Sequence, residues 1–144
     1  MSRKPKILCV DDQLTHLKIR CIFLEQFGCE VIAVQDRQSA LKAVTENDVD
    51  LLLIDYHLAD GATGEEIARD VRMLRPHVPL VMFSGDPKIP ESAHECSDAV
   101  LLKGASNPSD LLDVIQKLVP GAALRPRRPA PDFCDSKLSQ RKTG

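Results

Sequence analysis

Four short stretches of nearly continuous apolar residues constrain the fold of this chain more than any other feature. They are Ile7 to Val10, Leu51 to Ile54, Leu80 to Phe83 and Ala99 to Leu102. Because they lack the alternation of a half-exposed strand, they are typical of parallel strands buried on both faces. A fifth stretch, Glu30 to Val34, mixes polar ends with apolar residues and predicts an edge strand.

Segments with helical periodicity separate these stretches. Each has apolar residues three or four positions apart: Leu14, Leu17, Cys21 and Leu24; Ala40 and Val44; Ile67, Val71 and Leu74; Leu111, Ile115 and Leu118. Gly28 suits a left-handed cap at the end of the first helix, and Pro76 ends the third. Asn107 as N-cap and Pro108 in the first turn predict the start of the last helix. The stretch 87–96, which contains two prolines, predicts only a short or irregular helix.

This alternation of strands and helices predicts a doubly wound α/β domain. Five strands, each followed by a helix, form a parallel sheet through right-handed crossovers, with helices covering both of its faces. In such open sheets, ligands bind outside the carboxyl ends of the strands, where the winding direction reverses.

The composition changes near the end of the chain, where Pro126, Pro129 and Pro131 alternate with arginines. We therefore expect a folded domain over residues 1–121 and a flexible basic tail over 122–144. Residues 1–124 hold 13 basic and 19 acidic residues, and residues 125–144 hold 6 and 2, giving net charges of −6 and +4. An acidic body argues against nucleic-acid binding through the main surface, and we predict no DNA-binding domain.

The cysteines and the apolar stretches also bear on the location of the protein. The five cysteines are odd in number and lack C-x-x-C spacing, which is typical of reduced thiols. No stretch approaches the roughly 18 apolar residues of a membrane span, and no apolar signal core follows the basic start. We therefore predict a cytoplasmic protein that does not contact the membrane.

Polar residues follow the buried strands at their carboxyl ends. Asp11 and Asp12 come after the first stretch, Asp55 after the second, Ser84 after the third and Lys103 after the fourth. Because these ends meet at one edge of a parallel sheet, we expect the five side chains to converge there. Neighbouring carboxylates repel one another unless a hard cation neutralises them through oxygen ligands. The sequence therefore predicts a Mg²⁺ site.

The motifs at these positions resemble the receiver domains of bacterial response regulators, which act in two-component phosphorelay signalling. They are Val10-Asp11-Asp12, Leu53-Ile54-Asp55, Phe83-Ser84-Gly85 and Leu102-Lys103, and the resemblance covers roughly residues 5 to 119. Each motif alone is weak, whereas the ordered set at these spacings is specific. The resemblance implies a flavodoxin-like sheet with strand order 2-1-3-4-5.

The resemblance also implies a role for each residue. Asp55 is the phosphoacceptor for a sensor histidine kinase or histidine phosphotransfer protein. Asp12 and Asp55 hold Mg²⁺ together with the backbone carbonyl of His57, and Asp11 binds the metal directly or through its water shell. Lys103 gives a point charge and Ser84 a hydroxyl to the transferred phosphoryl group. Such a domain assists its own phosphorylation and is not a turnover enzyme.

Three positions depart from the family pattern. Val100 stands where an aromatic switch residue is usual, and Gly104 stands where a proline with a cis peptide is common. The loop after Asp55 lacks the frequent proline at Ala59 and is one residue longer before Gly64. These departures affect the transmission of a signal, while the acceptor and metal residues are complete.

Two alternatives follow from these residues. A receiver-like binding module with little dependence on phosphorylation would keep the fold and lose the switch. A haloacid-dehalogenase-like phosphatase would need a second Asp two residues after the nucleophile, where this chain has His57. That histidine either tunes the phosphoryl group or is a solvated loop residue. In the receiver interpretation, output comes through contact with an unidentified protein target, from a monomer or a weak homodimer.

Overall fold

Strands and helices alternate along the chain as the apolar stretches predict. The structure, a computed structural model, describes residues 4–58, 63–85, 88–103 and 108–119. Within these ranges the elements are β1 (Lys6–Val10), α1 (Leu14–Gln26), β2 (Glu30–Val34), α2 (Arg37–Glu46), β3 (Leu51–Asp55), α3 (Gly64–Leu74), β4 (Leu80–Ser84), α4 (Glu91–Glu95), β5 (Ala99–Leu102) and α5 (Pro108–Leu118).

The five strands form one parallel sheet in the order β2-β1-β3-β4-β5. This order confirms the predicted doubly wound, flavodoxin-like α/β fold. The chain winds outward from β1 to β2 and then returns to add β3 on the other side of β1. Val10 of β1 is paired with Ile54 of β3, so the residues that follow them, Asp11 and Asp55, are neighbours at the point where the winding reverses.

Two apolar layers cover the sheet, one on each face. Alternate side chains of a strand point to opposite faces, so Ile7 and Cys9 join one layer, and Leu8 and Val10 join the other. The first layer is completed by α1 and α5, and the second by α2, α3 and α4. Every residue of β3 and β4 is buried, which explains their continuous apolar sequences.

The predicted ends of the helices are confirmed where the structure describes them. Gly28 follows α1 with a φ of 90°, in the left-handed region that favours glycine. The helix between Pro87 and Cys96 is indeed short, five residues of α4. The expected N-cap at Asn107 lies outside the described residues, as do the domain boundary near residue 121 and the basic tail.

For α1 and α3, the prediction that the apolar residues are buried was wrong at one end of each helix. Leu14 is 52% exposed and Leu74 is 50% exposed, whereas Leu17 and Leu24 are buried. Leu14 is the first residue of α1 and Leu74 the last of α3, so both lie past the part of the helix that packs on the sheet.

None of the helices in the described part of the chain is long and apolar enough to span a membrane.

Candidate functional site

Three carboxylates lie together at the carboxyl edge of the sheet. One ligand oxygen from each of Asp11, Asp12 and Asp55 lies within 4.8 Å of the others. Asp11 and Asp55 are buried, with exposed fractions of 0% and 5%, and Asp12 is half-buried. Carboxylate oxygens at this spacing are the donor set that a hard divalent cation prefers, so the residues fit the predicted Mg²⁺.

Lys103 reaches this cluster from the end of β5. Its Nζ lies 3.0 Å from Asp55 Oδ2 and 3.6 Å from Asp11 Oδ2. The backbone N–H of Lys103 donates a hydrogen bond of 2.8 Å to the carbonyl of Ser84, which ties the end of β5 to the end of β4. The structure thus places the positive charge of Lys103 between two of the three carboxylates.

Burial and nearby charges shift the pKa values of the two buried carboxyls in opposite directions. Burial raises the pKa of Asp55 above its ordinary value, and the hydrogen bond and charge of Lys103 offset this only in part. Burial also acts to raise the pKa of Asp11. There, the backbone N–H of Gln13 and the charges of Lys103 and Arg20 outweigh burial and hold the pKa below its ordinary value.

Ser84 lies at the carboxyl end of β4, next to β3. It is fully buried and pairs with Leu102 in the sheet. The residue before it, Phe83, pairs with Asp55, and its carbonyl accepts a hydrogen bond of 2.8 Å from the backbone N–H of Tyr56. Ser84 is therefore close in the sheet to the segment that carries Asp55, as the sequence predicts.

The loop after β3 contains His57, which is exposed. Its ring contacts Tyr56 edge-on, with ring centroids 4.8 Å apart, and its backbone forms an isolated antiparallel bridge with Thr63. The bridge closes the loop, but residues 59–62 within it lie outside the described part of the chain. A ligand role for the His57 carbonyl stays a prediction.

The start of α3 packs directly against the end of β3 at Gly64, a contact that the sequence analysis missed. A Cβ atom at Gly64 would lie 2.6 Å from the Asp55 carbonyl oxygen and 2.9 Å from Ile54 Cγ2. The N–H of Gly64 donates a hydrogen bond of 2.7 Å to the carbonyl of Tyr56. The sequence signal for the start of this helix was Thr63 followed three residues later by Glu66, and these two residues form a capping box.

Arg20 is a second residue that sequence reasoning missed. Its Nη1 lies 3.5 Å from Asp11 Oδ2, and its guanidinium carbon lies 4.6 Å from the centroid of the Phe83 ring. The available signal was its position in α1, three residues after Leu17 and four before Leu24, on the face that packs against the sheet.

The departures from the family pattern are partly visible. Val100 is half-buried and packs with the layer that includes Ile89, Ala93 and Cys96, next to α4. Gly104 lies outside the described residues, and the described part of the chain contains no cis peptide bond.

Comparison with known proteins agrees with this geometry. The model of the response regulator receiver domain matches residues 7–118. The sensor protein GacS of Pseudomonas syringae is 37% identical over 71 residues, which cover 49% of this chain and 8% of GacS. The sensory/regulatory protein RpfC of Xanthomonas campestris is 27% identical over 101 residues, which cover 67% of this chain and 14% of RpfC. The chain thus spans only a small part of the length of these relatives.

Solved structures share the fold. A receiver domain protein of Methanospirillum hungatei is 29% identical with a TM-score of 0.71, and the match covers 80% of this chain and 94% of that one. The response regulator TrrA of Thermotoga maritima, in complex with Mg(2+)-BeF, is 22% identical with a TM-score of 0.73, covering 79% and 98%. Since the family match extends over most of the chain, this protein belongs to the response regulator receiver domains of two-component signalling.

Proposed function

We propose that Asp55 accepts a phosphoryl group from a histidine kinase or a histidine phosphotransfer protein. The observation that carries this proposal is the Asp55 carboxylate, which lies 3.0 Å from Lys103 Nζ within a cluster of three carboxylates at the switch point of the sheet. In the reaction, an Asp55 oxygen forms a bond to phosphorus while the bond from phosphorus to the histidine nitrogen breaks. The product is an aspartyl phosphate.

The residues around Asp55 supply the charge that this transfer requires. A phosphoryl group is anionic, so positioning and charge neutralisation dominate its transfer. We propose that Asp12 and Asp55 hold Mg²⁺ with the His57 carbonyl, and that Asp11 joins them directly or through water. Mg²⁺ at this place neutralises charge on the acceptor and phosphoryl oxygens. Lys103 adds a fixed positive charge, and the Ser84 hydroxyl bonds a phosphoryl oxygen.

The surface beside the site supports transfer from a protein donor. Leu14, Ile19 and Ile22 of α1 are 52%, 63% and 58% exposed. Such apolar side chains on the helix that follows the Asp11-Asp12 loop suit docking of a phosphodonor protein. We propose that output also passes through protein contact, with a target that the chain does not identify.

A second candidate is a receiver-like binding module that depends little on phosphorylation. The observation in its favour is Val100, which is too small to report movement at Ser84 by turning a large ring. The two candidates share the fold and differ in whether Asp55 is modified and whether modification changes binding.

Phosphorylation by a small-molecule donor tests the proposal directly. The purified protein is incubated with acetyl phosphate, with and without Mg²⁺, and its intact mass is measured. We expect the mass of one phosphoryl group to be added only with Mg²⁺, in the wild type but not in Asp55→Asn. Asp48→Asn is a matched control, because Asp48 is exposed and precedes β3 at the opposite edge of the sheet. No gain with acetyl phosphate or with a cognate kinase would favour the binding module.

A further inference from the structure

An arginine occupies a position of α1 that faces the sheet. Leu17 and Leu24, three residues before Arg20 and four after it, are buried at 2% and 0% exposure. Residues at this spacing share one face of a helix. The Arg20 side chain is accordingly only 12% exposed. An anionic partner offsets the loss of hydration that such partial burial costs a guanidinium.

That partner is Asp11, one of the three clustered carboxylates. Arg20 Nη1 lies 3.5 Å from Asp11 Oδ2. The guanidinium carbon lies 4.6 Å from the centroid of the Phe83 ring, within the range of a cation–π contact. Arg20 therefore contacts both Asp11, the residue after β1, and Phe83, which lies in β4 just before Ser84.

Asp11 is already surrounded by protein donors and cations. Its Oδ1 accepts a hydrogen bond of 2.9 Å from the backbone N–H of Gln13. Its Oδ2 lies 3.6 Å from Lys103 Nζ and 3.7 Å from His16 Nδ1, besides the contact with Arg20. A cation that approaches the cluster thus meets one carboxylate that already contacts the positive charges of Arg20 and Lys103.

We propose that Arg20 is a positioning residue that competes with Mg²⁺ for Asp11 and so weakens metal binding at the acceptor site. The inference rests on the proposed Mg²⁺ site of the receiver. An arginine side chain stays charged at all accessible pH values, so the competition is permanent. Arg20 repels a divalent ion, and its contact with Oδ2 must loosen when Asp11 turns toward the metal. The metal-free cluster is in turn stabilised by Arg20.

Mg²⁺ affinity of two Arg20 variants tests the competition. Tyr56 is the only tyrosine, the chain has no tryptophan, and Tyr56 follows Asp55, so the change in its fluorescence during a Mg²⁺ titration is the binding readout. Arg20→Met keeps an apolar stem across Phe83 and removes the charge, whereas Arg20→Lys keeps the charge. We expect Arg20→Met to lower the Kd for Mg²⁺ about three- to tenfold, as for removal of one partly screened charge. Arg20→Lys is expected to stay within about twofold of the wild type.

Two controls separate competition from a change in net charge. Arg72→Met removes the same charge far from the site, because Arg72 pairs with Asp98 before β5. It is expected to leave the Kd unchanged. In an Asp11→Asn background, Arg20→Met is expected to change the Kd less than it does in the wild type, because the competition for Asp11 is gone and only the direct repulsion of the ion remains. A Kd for Arg20→Met that equals or exceeds that of the wild type would overturn the inference.

A measurement on the wild type covers the case in which Arg20→Met does not fold. The Nε–H resonance of Arg20, assigned by its loss in Arg20→Lys, is followed during a Mg²⁺ titration. We expect it to shift in step with the Tyr56 signal, and a resonance that does not move would overturn the inference. A wild type that binds no Mg²⁺ in either measurement would overturn the proposed metal site itself. Binding without any response of Arg20 contradicts the competition alone.

Discussion

Asp11 and Asp55 are neighbouring carboxyls of the same cluster, yet their surroundings shift their pKa values in opposite directions. Asp11 accepts the Gln13 N–H and lies near Arg20 and Lys103, which together outweigh its burial. Among the residues that shift the pKa of Asp55, Lys103 is the one positive charge. Its effect is smaller than that of burial, so the pKa of Asp55 is raised. Ionised Asp55 therefore destabilises the metal-free fold, whereas ionised Asp11 stabilises it.

Removing either charge is expected to change stability with opposite sign in Mg²⁺-free buffer. The folded pKa of Asp55 is raised, so its ionised form lowers the free energy of unfolding above that pKa. Asp55→Asn should therefore stabilise the protein at about pH 7, and the gain should shrink as the pH falls toward the ordinary Asp value of 3.8. Urea unfolding with a chelator present, at several pH values, measures this change.

Asp11→Asn is expected to behave in the opposite way. The folded pKa of Asp11 is lowered, so its stabilising contribution is present above the ordinary value of 3.8 and is lost only below it. The variant should be less stable than the wild type at about pH 7, by an amount that stays constant down to about pH 5. Destabilisation by both variants would show that the opposite pKa shifts are wrong.

At the scale of elements, the start of α3 contacts both the end of β3 and the short helix α4. Its first residue, Gly64, packs on the carbonyl of Asp55, and its second, Glu65, is buried at 9% exposure. Glu65 accepts a hydrogen bond of 3.0 Å from the Ser92 hydroxyl of α4 and pairs with Arg69. The short α4 is thus tied to the start of α3, on the face that Val100 helps to cover.

Substitution of Gly64 tests the close packing of α3 on β3. A Cβ there meets backbone, which cannot move aside as a flexible side chain can, so Gly64→Ala should lower the free energy of unfolding by about 1 to 3 kcal/mol. Gly85→Ala is a matched control, because a Cβ at Gly85 has no atom within 4 Å, and its effect should stay within about 0.5 kcal/mol. Chemical denaturation of both variants compares them, and equal stabilities would contradict the close contact.

The capping box of α3 makes a second prediction at this scale. Thr63 Oγ1 accepts the backbone N–H of Glu66 at 3.3 Å, and the Glu66 carboxylate accepts the backbone N–H of Thr63 at 3.4 Å. Thr63→Ala should lower the free energy of unfolding by about 1 kcal/mol, because a helix N–H loses its acceptor. Thr63→Ser keeps the oxygen and should lose less than half as much. Thermal or urea unfolding measures both, and a Ser variant as unstable as the Ala variant would show that the cap is not the cause.

At the scale of the whole molecule, the sheet and its two apolar layers, as far as the structure describes them, are complete by Val119, one residue after α5. We propose on this ground, and on the change in composition, that residues 1–121 form the domain. A chain that ends at residue 121 should unfold within about 0.5 kcal/mol of the full chain and accept the same single phosphoryl group. Urea unfolding and intact mass measure these two quantities. A clearly less stable shortened chain would show that residues 122–144 pack on the domain.

The sequence by itself determined the fold class and the residues that meet at the candidate site. Continuous apolar strands bounded by helical segments leave few arrangements other than a doubly wound parallel sheet, and polar residues at strand ends then converge on one edge. That reasoning predicted the positions of Asp11, Asp12, Asp55, Ser84 and Lys103 because it needs only local pattern and topology.

Only the tertiary structure decided the contacts between elements that pattern does not encode. The spacing from Leu17 and Leu24 puts Arg20 on the inner face of α1, but its contacts with Asp11 and Phe83 depend on how α1 lies on β1 and β2. The close approach of Gly64 to β3 and the exposure of Leu14 and Leu74 likewise depend on where each helix begins and ends relative to the sheet. Such offsets of a few ångströms are set by packing between layers, which one-dimensional periodicity does not determine.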